Sequence, residues 1–367
     1  MPCDRWDSPP AFDWKFEMSA DGALGLPSEG VSEKMGGGAN GKTQTVILSG
    51  DIGGTKSNFA VFERKGKRLR KLVERRFPSQ EAASFEQMVR AFLDQLGAGA
   101  KIEAACFGVA GPVVGNEVHP TNLAWPVDAE VASHILGTRR VRLINDMGAT
   151  FAGIDALEPE QLVALQPGTP AAGATQALVA AGTGLGEAFR VWTDNGYQVI
   201  PSEGGHADFA PRTEEEIELL RFLKKQQTWV DVETVVSGRG FYELHQFLGP
   251  GVDHPDFHAE GEDPAAEITH RALAGGCDIC LRAVDLWISL YGAEAGNLAL
   301  KTLARGGVFV AGGIAAKILP RLTTGRFLEA FRQKAALGEI LSAIPVTVVL
   351  DPEAPLLGAA ATAAALL

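Results

Sequence analysis

The residue types that could do chemistry in this chain fall in two glycine loops and a few isolated polar clusters. The first loop is Gly50-Asp51-Ile52-Gly53-Gly54-Thr55-Lys56, set between the apolar runs TVILS and NFAVF. Glycines let backbone N–H groups close around an anion, and such nests bind phosphate. Asp51 is placed there to hold a magnesium ion, directly or through water, and Thr55 to bond a phosphate oxygen. An ordinary hairpin turn is the competing reading. The second loop, Gly182-Thr183-Gly184-Leu185-Gly186-Glu187, has the same setting between apolar runs. A third glycine pair, Gly312-Gly313, follows FVA and precedes a helical pattern, a position suited to the base and ribose of a nucleotide.

Two phosphate-loop signatures fail. Lys56 follows Thr55 and leads into a strand-like run, so a Walker A loop is absent. Glu187 stands where the last glycine of G-x-G-x-x-G belongs, and the loop enters a strand rather than a helix, so the dinucleotide fingerprint fails as well. What remains is a pair of strand–glycine loop–strand elements, suited to clamping the phosphates of one nucleotide from two sides.

The polar candidates are Asn145-Asp146, Ser202-Glu203-Gly204-Gly205-His206, and Glu233 ahead of VVSGRG. Carboxylates, amides and imidazoles are the groups that bond sugar hydroxyls. Phosphorylating a hydroxyl requires positioning, a metal-bound polyphosphate and a base near the accepting oxygen. Asp146, at the end of a buried strand, reads equally well as that base and as a helix cap. Cys277 and Cys280 form a C-x-x-C, for which a zinc or redox role is the alternative, but no second ligand pair follows and the sequence around them reads as one helix carrying two core thiols. His254 and His258 sit among aspartates like a metal-binding tract, but their spacing is loose and the segment reads as a solvated loop.

The elements that must position these groups repeat. TVILSGDIGGTKSNFAVFE followed by RLRKLVERRFP reads as three strands around a glycine loop, and ATQALVAAGTGLGEAFRVWTDNGYQVI reads the same way. The expected architecture is α/β, with duplicated three-strand-plus-helix units around a central cleft. Ser84 and Gln87 form an S-x-x-Q capping box before a helix with apolar residues at Phe85, Met88, Val89, Phe92 and Leu96. GGVFVAGGIAAKILP is a strand, turn and helix, and IPVTVVLD is a last buried strand. EAPLLGAAATAAALL is helical in composition and needs a core to pack on.

The 367 residues suggest two domains. A 46% apolar and 21% charged composition is that of a globular protein, and a formal charge of -12 argues against nucleic acid as a partner. No apolar run reaches the roughly 18 to 20 residues of a membrane span. Four cysteines in so long a chain make no disulfide framework, and the N-terminus lacks a secretory pattern, so a reduced cytoplasm is expected. Residues 1–42 are rich in Gly, Ser, Pro and Asp and read as a disordered extension, with Met18 and Met35 as alternative starts.

The motifs GDIGGTKSNFAVF, PTNLAW, LINDMGA, AAGTGLGEAF, PSEGGHADFAP, VETVVSGRG and GGVFVAGGIAAKI together resemble the bacterial glucokinases, in order and spacing, from about Val46 onward. The resemblance implies the actin-like (ribonuclease H-like) two-domain sugar kinase fold, with residues 43–157 plus 352–367 as a small domain and 158–351 as a large one. It implies transfer of the ATP γ-phosphate to O6 of glucose with Mg²⁺, Asp146 as catalytic base, and Asn145, Asp146, Glu203, His206 and Glu233 as glucose ligands. Gly50, Asp51, Ile52, Gly53, Gly54 and Thr55, with Gly182, Thr183 and Gly184 and the pair Gly312 and Gly313, would hold the nucleotide. A cytoplasmic homodimer is the expected assembly. FAPRTEEEIELL after His206 lacks the cysteine-rich zinc segment usual in the related repressor and sugar-kinase group. Kinases of mannose or an amino sugar, and a non-catalytic sugar-sensing regulator, are the alternatives.

Overall fold

Alternating apolar residues on both faces of the first glycine-flanked runs dictate strands buried on two sides. The computed structural model describes residues 15–17, 44–66, 68–96, 100–120, 122–252, 254, 257 and 263–367. By internal contacts it divides into unit 1, Met1–Glu158 with Glu353–Leu367, and unit 2, Pro159–Pro352. Of the segment expected to be a disordered extension, Lys15–Glu17 form a short strand, β1; the rest of 1–42 lies outside the described residues.

Unit 1 continues with β2 (Gln44–Ile52), β3 (Lys56–Lys65) and β4 (Arg68–Pro78), antiparallel neighbours joined by tight turns. Helix α1 (Phe85–Leu96) follows, and its capping box forms. Ser84 Oγ accepts from the Gln87 amide at 3.1 Å, while Gln87 Oε1 reaches back to the Ala83 amide at 2.7 Å. Next come β5 (Ala100–Val109), the small ribbon β6 (Glu117–Val118) with β7 (Val127–Asp128), helix α2 (Ala129–Leu136), β8 (Val141–Asn145) and α3 (Asp146–Ile154). The main sheet has the order β1-β4-β3-β2-β5-β8, with β2, β5 and β8 parallel.

Unit 2 opens on β9 (Leu162–Gln166), then β10 (Gln176–Ala181), β11 (Leu185–Thr193) and β12 (Gly196–Ser202). A helical stretch follows: α4 (Glu214–Leu223), α5 (Val232–Val235), α6 (Gly238–Leu248), α7 (Pro264–Ala274) and α8 (Asp278–Thr302). Strand β13 (Gly307–Ala311), helices α9 (Gly313–Lys317), α10 (Leu319–Leu322), α11 (Arg326–Arg332) and α12 (Gly338–Ala343), and strand β14 (Val346–Val349) complete it. Its sheet runs β12-β11-β10-β13-β14-β9. From the third strand of each hairpin set inward, this is the order of β4-β3-β2-β5-β8 in unit 1, so the repeated strand patterns are a repeated topology. Strand β9 is an addition to that scheme, with three of its five residues only half-buried, which is why LVALQ carries little periodic signal.

The stretch read as one helix around the cysteines is two helices. Gly275, with φ of 72°, ends α7, and Cys277 is the extended residue before α8.

The chain returns to unit 1 as α13 (Ala354–Ala364). One face of the unit 1 sheet, including Ile47, Phe62, Ala104 and Cys106, packs on Leu356, Leu357, Ala359, Ala360 and Ala363 of this helix. The other face, including Val46, Leu48, Phe59 and Phe107, packs on α1 and α2. Helices α13 and α3 touch at two glycines. A Cβ on Gly153 would fall 1.8 Å from the Ala354 carbonyl oxygen, and one on Gly358 would fall 1.8 Å from that of Ala149. Only a missing side chain lets the two backbones approach this closely, and α3 is the helix that begins with Asp146.

Candidate active site

In unit 1 the candidates gather at the carboxyl ends of the parallel strands, where open α/β sheets bind ligands. Asp51 on β2 pairs with Gly108 on β5, and Val109 pairs with Asn145 on β8. Asn145 supplies the cap of α3: its Oδ1 accepts from the Met147 amide at 3.0 Å, and its Nδ2 donates to the Gly111 carbonyl at 3.1 Å. Asn145 is the cap, and Asp146 is the first helical residue, half-buried at the helix mouth, with Oδ1 2.9 Å from the same Met147 amide.

The first glycine loop is tied from behind. Ser79 Oγ donates to the Gly53 carbonyl at 2.7 Å, Gln80 Nε2 to that of Gly54 at 2.7 Å, and the Ser79 amide to that of Thr55 at 3.0 Å. The Gly53 amide closes the turn onto Lys56 O at 3.2 Å. With these carbonyls engaged, the amides of Gly54 and Thr55 are what the loop has to offer an anion. Asp51 is half-buried beside it, and burial lifts its carboxyl to about 6 against the opposing Asn58 hydrogen bond and the charges of Lys56 and Arg76. A desolvated carboxylate whose hydrogen bond from Asn58 is long, at 3.4 Å, suits a hard divalent cation.

In unit 2 the second loop, Gly182–Gly184, closes with the Gly182 amide on Gly184 O at 2.8 Å. Strands β10 and β13 are parallel neighbours with Ala180 opposite Ala311, which puts the Gly312-Gly313 turn at the same sheet edge. Glu233 on α5 buttresses the loop: its Oε2 accepts from the Leu185 amide at 2.8 Å. A Cβ on Gly184 would lie 2.4 Å from that same oxygen, so the contact requires glycine.

Glu203 precedes a single 3-10 turn, Gly204–His206. This segment is stitched to the strand-like entry of α5 through Phe209 N to Val230 O at 3.1 Å and Val232 N to Ala207 O at 3.0 Å. Asp231, not singled out from the sequence, organises the pair. Its Oδ2 lies 3.0 Å from His206 Nδ1, while Oδ1 caps α5 through the Thr234 amide at 2.9 Å. The Asp231 hydrogen bond, reinforced by the charges of Glu233 and Glu203, holds the His206 imidazole above its ordinary value in spite of partial burial. For Asp231 burial pushes upward, but the bonds from His206 and Thr234 outweigh it and keep the carboxyl below its usual range.

Beneath the same turn lies Glu187, the residue that broke the dinucleotide fingerprint. It is 1% exposed, and its Oε1 has no hydrogen-bond partner among the described residues. Burial first, and then the charge and hydrogen bond of Glu294, push its carboxyl to about 8 against the pull of Lys301. A Cβ on Gly204 would come within 2.0 Å of Glu187 Oε2, so the acid supports the turn directly. A groove of about 630 Å³ along α2, lined by Asn116, Ser133 and Arg139, contains none of these residues.

The glucokinase family profile matches residues 48–366. A glucokinase of Trichormus variabilis is 41% identical over 341 residues, covering 88% of this chain and 100% of that protein. The crystal structure of a glucokinase from an Antarctic psychrotroph superposes with a TM-score of 0.73 at 32% identity, covering 87% of this chain and 98% of that one. That of Balamuthia mandrillaris glucokinase in complex with glucose gives 0.71 at 22% identity, covering 87% and 94%, and shares the fold. The repeated sheet order, the paired glycine loops and the Asn145-Asp146 helix start thus sit in a chain matched almost throughout, and the protein belongs to the glucokinase family.

Proposed function

We propose that Asp146 is the general base of an ATP-dependent glucokinase reaction. It takes the proton of the glucose 6-hydroxyl as O6 bonds to the γ-phosphorus and the bond to the ADP oxygen breaks, giving glucose 6-phosphate and ADP. Family membership carries the overall reaction. The observation that supports the role of Asp146 is its position as the first residue of α3, while Asn145 supplies the cap. Asn145, Glu203, His206 and Glu233 bond the sugar hydroxyls in this reading. The loops Gly50–Thr55 and Gly182–Gly184 receive the phosphates, the first through the amides of Gly54 and Thr55, and Gly312-Gly313 lies against the base and ribose.

Asp51 is the residue that would hold Mg²⁺, directly or through water. The ion supplies charge neutralisation on the polyphosphate during transfer. No helix among the described residues is long and apolar enough to cross a membrane. A cytoplasmic homodimer is the assembly of this reading, and light scattering tests the dimer.

A coupled assay of glucose, mannose and amino sugars with ATP, ADP and polyphosphate as donors tests substrate and donor together. Asp146→Asn should lower kcat by about 10² to 10⁴-fold while glucose binding by calorimetry changes little. Retention of more than about a tenth of wild-type kcat would remove Asp146 from the role of base.

A further inference from the structure

The sugar-kinase reading leaves one cluster of reactive side chains in unit 2 unused. His245 on α6, His254 in the segment after it, Cys277 immediately before α8 and Cys280 in its first turn bring their ligand atoms within 4.8 Å of one another. The sequence offered no ligand pair after C-x-x-C, and that holds; the pair precedes it. His254 is half-buried against the core rather than solvated, and His258 lies outside the described residues.

One separation is already that of two ligands on one ion, and the rest lie within 4.8 Å. Zinc with Zn–S of about 2.3 Å and Zn–N of about 2.0 Å sets tetrahedral ligand atoms about 3.3–3.8 Å apart. His254 Nε2 and Cys280 Sγ are 3.5 Å apart. His245 and Cys280 are fully buried, with Cys277 and His254 half-buried at the open side. The shell is built to orient them. Phe257 packs edge-on against both imidazoles, its ring centroid 5.1 Å from that of His245 and 4.9 Å from that of His254. The Cys280 amide donates to Cys277 Sγ at 3.3 Å, the kind of outer contact that steadies a metal thiolate. Packing alone is a poor reason to bring two imidazoles beside two thiols from three stretches of chain, because an imidazole is polar and gains little from burial.

We propose that His245, His254, Cys277 and Cys280 bind a single zinc ion in a closed Cys₂His₂ site that ties α6 and His254 to the start of α8. Two thiolates with two imidazoles in a tetrahedron select zinc among common divalent ions. Four protein ligands leave no open position, so the ion is structural rather than catalytic. On binding, the two thiol protons go to solvent and the sulfurs become thiolates; no oxidant or reductant is needed. The site anchors the far end of α6, whose near end follows directly on the α5 turn that carries Glu233.

The test uses untagged full-length protein, purified under reducing conditions, with zinc measured by mass spectrometry before and after reconstitution with Zn²⁺ alone. About one zinc per chain is expected, with X-ray absorption showing two sulfur and two nitrogen neighbours. Removing it with a strong chelator should lower the melting temperature. Cys277→Ser keeps an oxygen at the cap of α8 and should lose the zinc while retaining glucose phosphorylation within a few-fold at low temperature. Should that variant not fold, the stoichiometry and coordination of the wild type decide the matter. Wild-type protein that stays metal-free after reconstitution, with Cys277 and Cys280 titrating as ordinary thiols or recovered as a disulfide, would overturn the site. Undiminished zinc in Cys277→Ser would do the same.

Discussion

Asp231 holds the His206 ring with one carboxylate oxygen, 3.0 Å from Nδ1, while the other caps the helix that carries Glu233. Two of the proposed sugar ligands are thus oriented by one side chain that binds no sugar itself in this reading.

Asp231→Asn separates those tasks. Asparagine caps helices as well as aspartate does, so α5 should persist, but the imidazole loses its anionic partner. The His206 titration followed by NMR should move down, and the KM for glucose should rise on the order of tenfold with kcat changed much less. The sign of the pH effect follows from the two shifts. The raised His206 contributes stability below its unfolded value that is lost as pH rises through its folded value. The lowered Asp231 contributes stability above its unfolded value that is lost as pH falls through its folded value. The pair therefore helps most between roughly pH 4 and 6.5. An unmoved His206 titration in the variant would show that the contact does not govern the ring.

Glu187 sets a different pH dependence. Its carboxyl is raised to about 8, so the folded state keeps a proton that the unfolded state gives up near the ordinary value. Stability should fall as pH rises from roughly 4.5 to 8 and then level. Glu187→Gln should match wild type near pH 5 and be the more stable of the two near pH 9, by up to a few kcal/mol. Parallel melting curves for the two proteins across that range would show that the acid is not protonated in the fold.

The crossing of α3 and α13 leaves no room for a methyl group at Gly358. Gly358→Ala should force the helices apart and cost about 1–3 kcal/mol in denaturant unfolding. It should also lower kcat, since α3 sets the position of Asp146. A variant with wild-type stability would mean that the crossing relaxes without strain.

Much of this was legible because strand–glycine loop–strand runs carry strong local signals. The two hairpin sets, the capping box at Ser84 and Gln87, and the apolar last helix all follow from period and turn chemistry. The sequence could not show which of Asn145 and Asp146 takes the cap position; the backbone gives it to Asn145, while Asp146 Oδ1 bonds the same Met147 amide. Asp231 was masked by Glu233 two residues on, whose chemistry is the same. The α7–α8 break was hidden because Gly275-Gly276 interrupts an otherwise helical pattern, and a glycine pair alone does not reveal a left-handed turn. His245 and Cys277 had no spacing to connect them, since their meeting depends on how α6, α7 and α8 pack.

The chain order of unit 1 has a further consequence. Its sheet is complete by Asn145, yet one face stays uncovered until Ala354–Ala364 arrive, after all of unit 2 has been made. At ribosomal speeds of about 5–20 residues per second, Pro159–Pro352 takes on the order of ten to forty seconds to emerge. During that interval Ile47, Phe62 and Ala104 lie open to solvent on the nascent chain. Unit 2, contiguous in sequence, can fold first, so the half that carries Asp146 is the one whose core closes last.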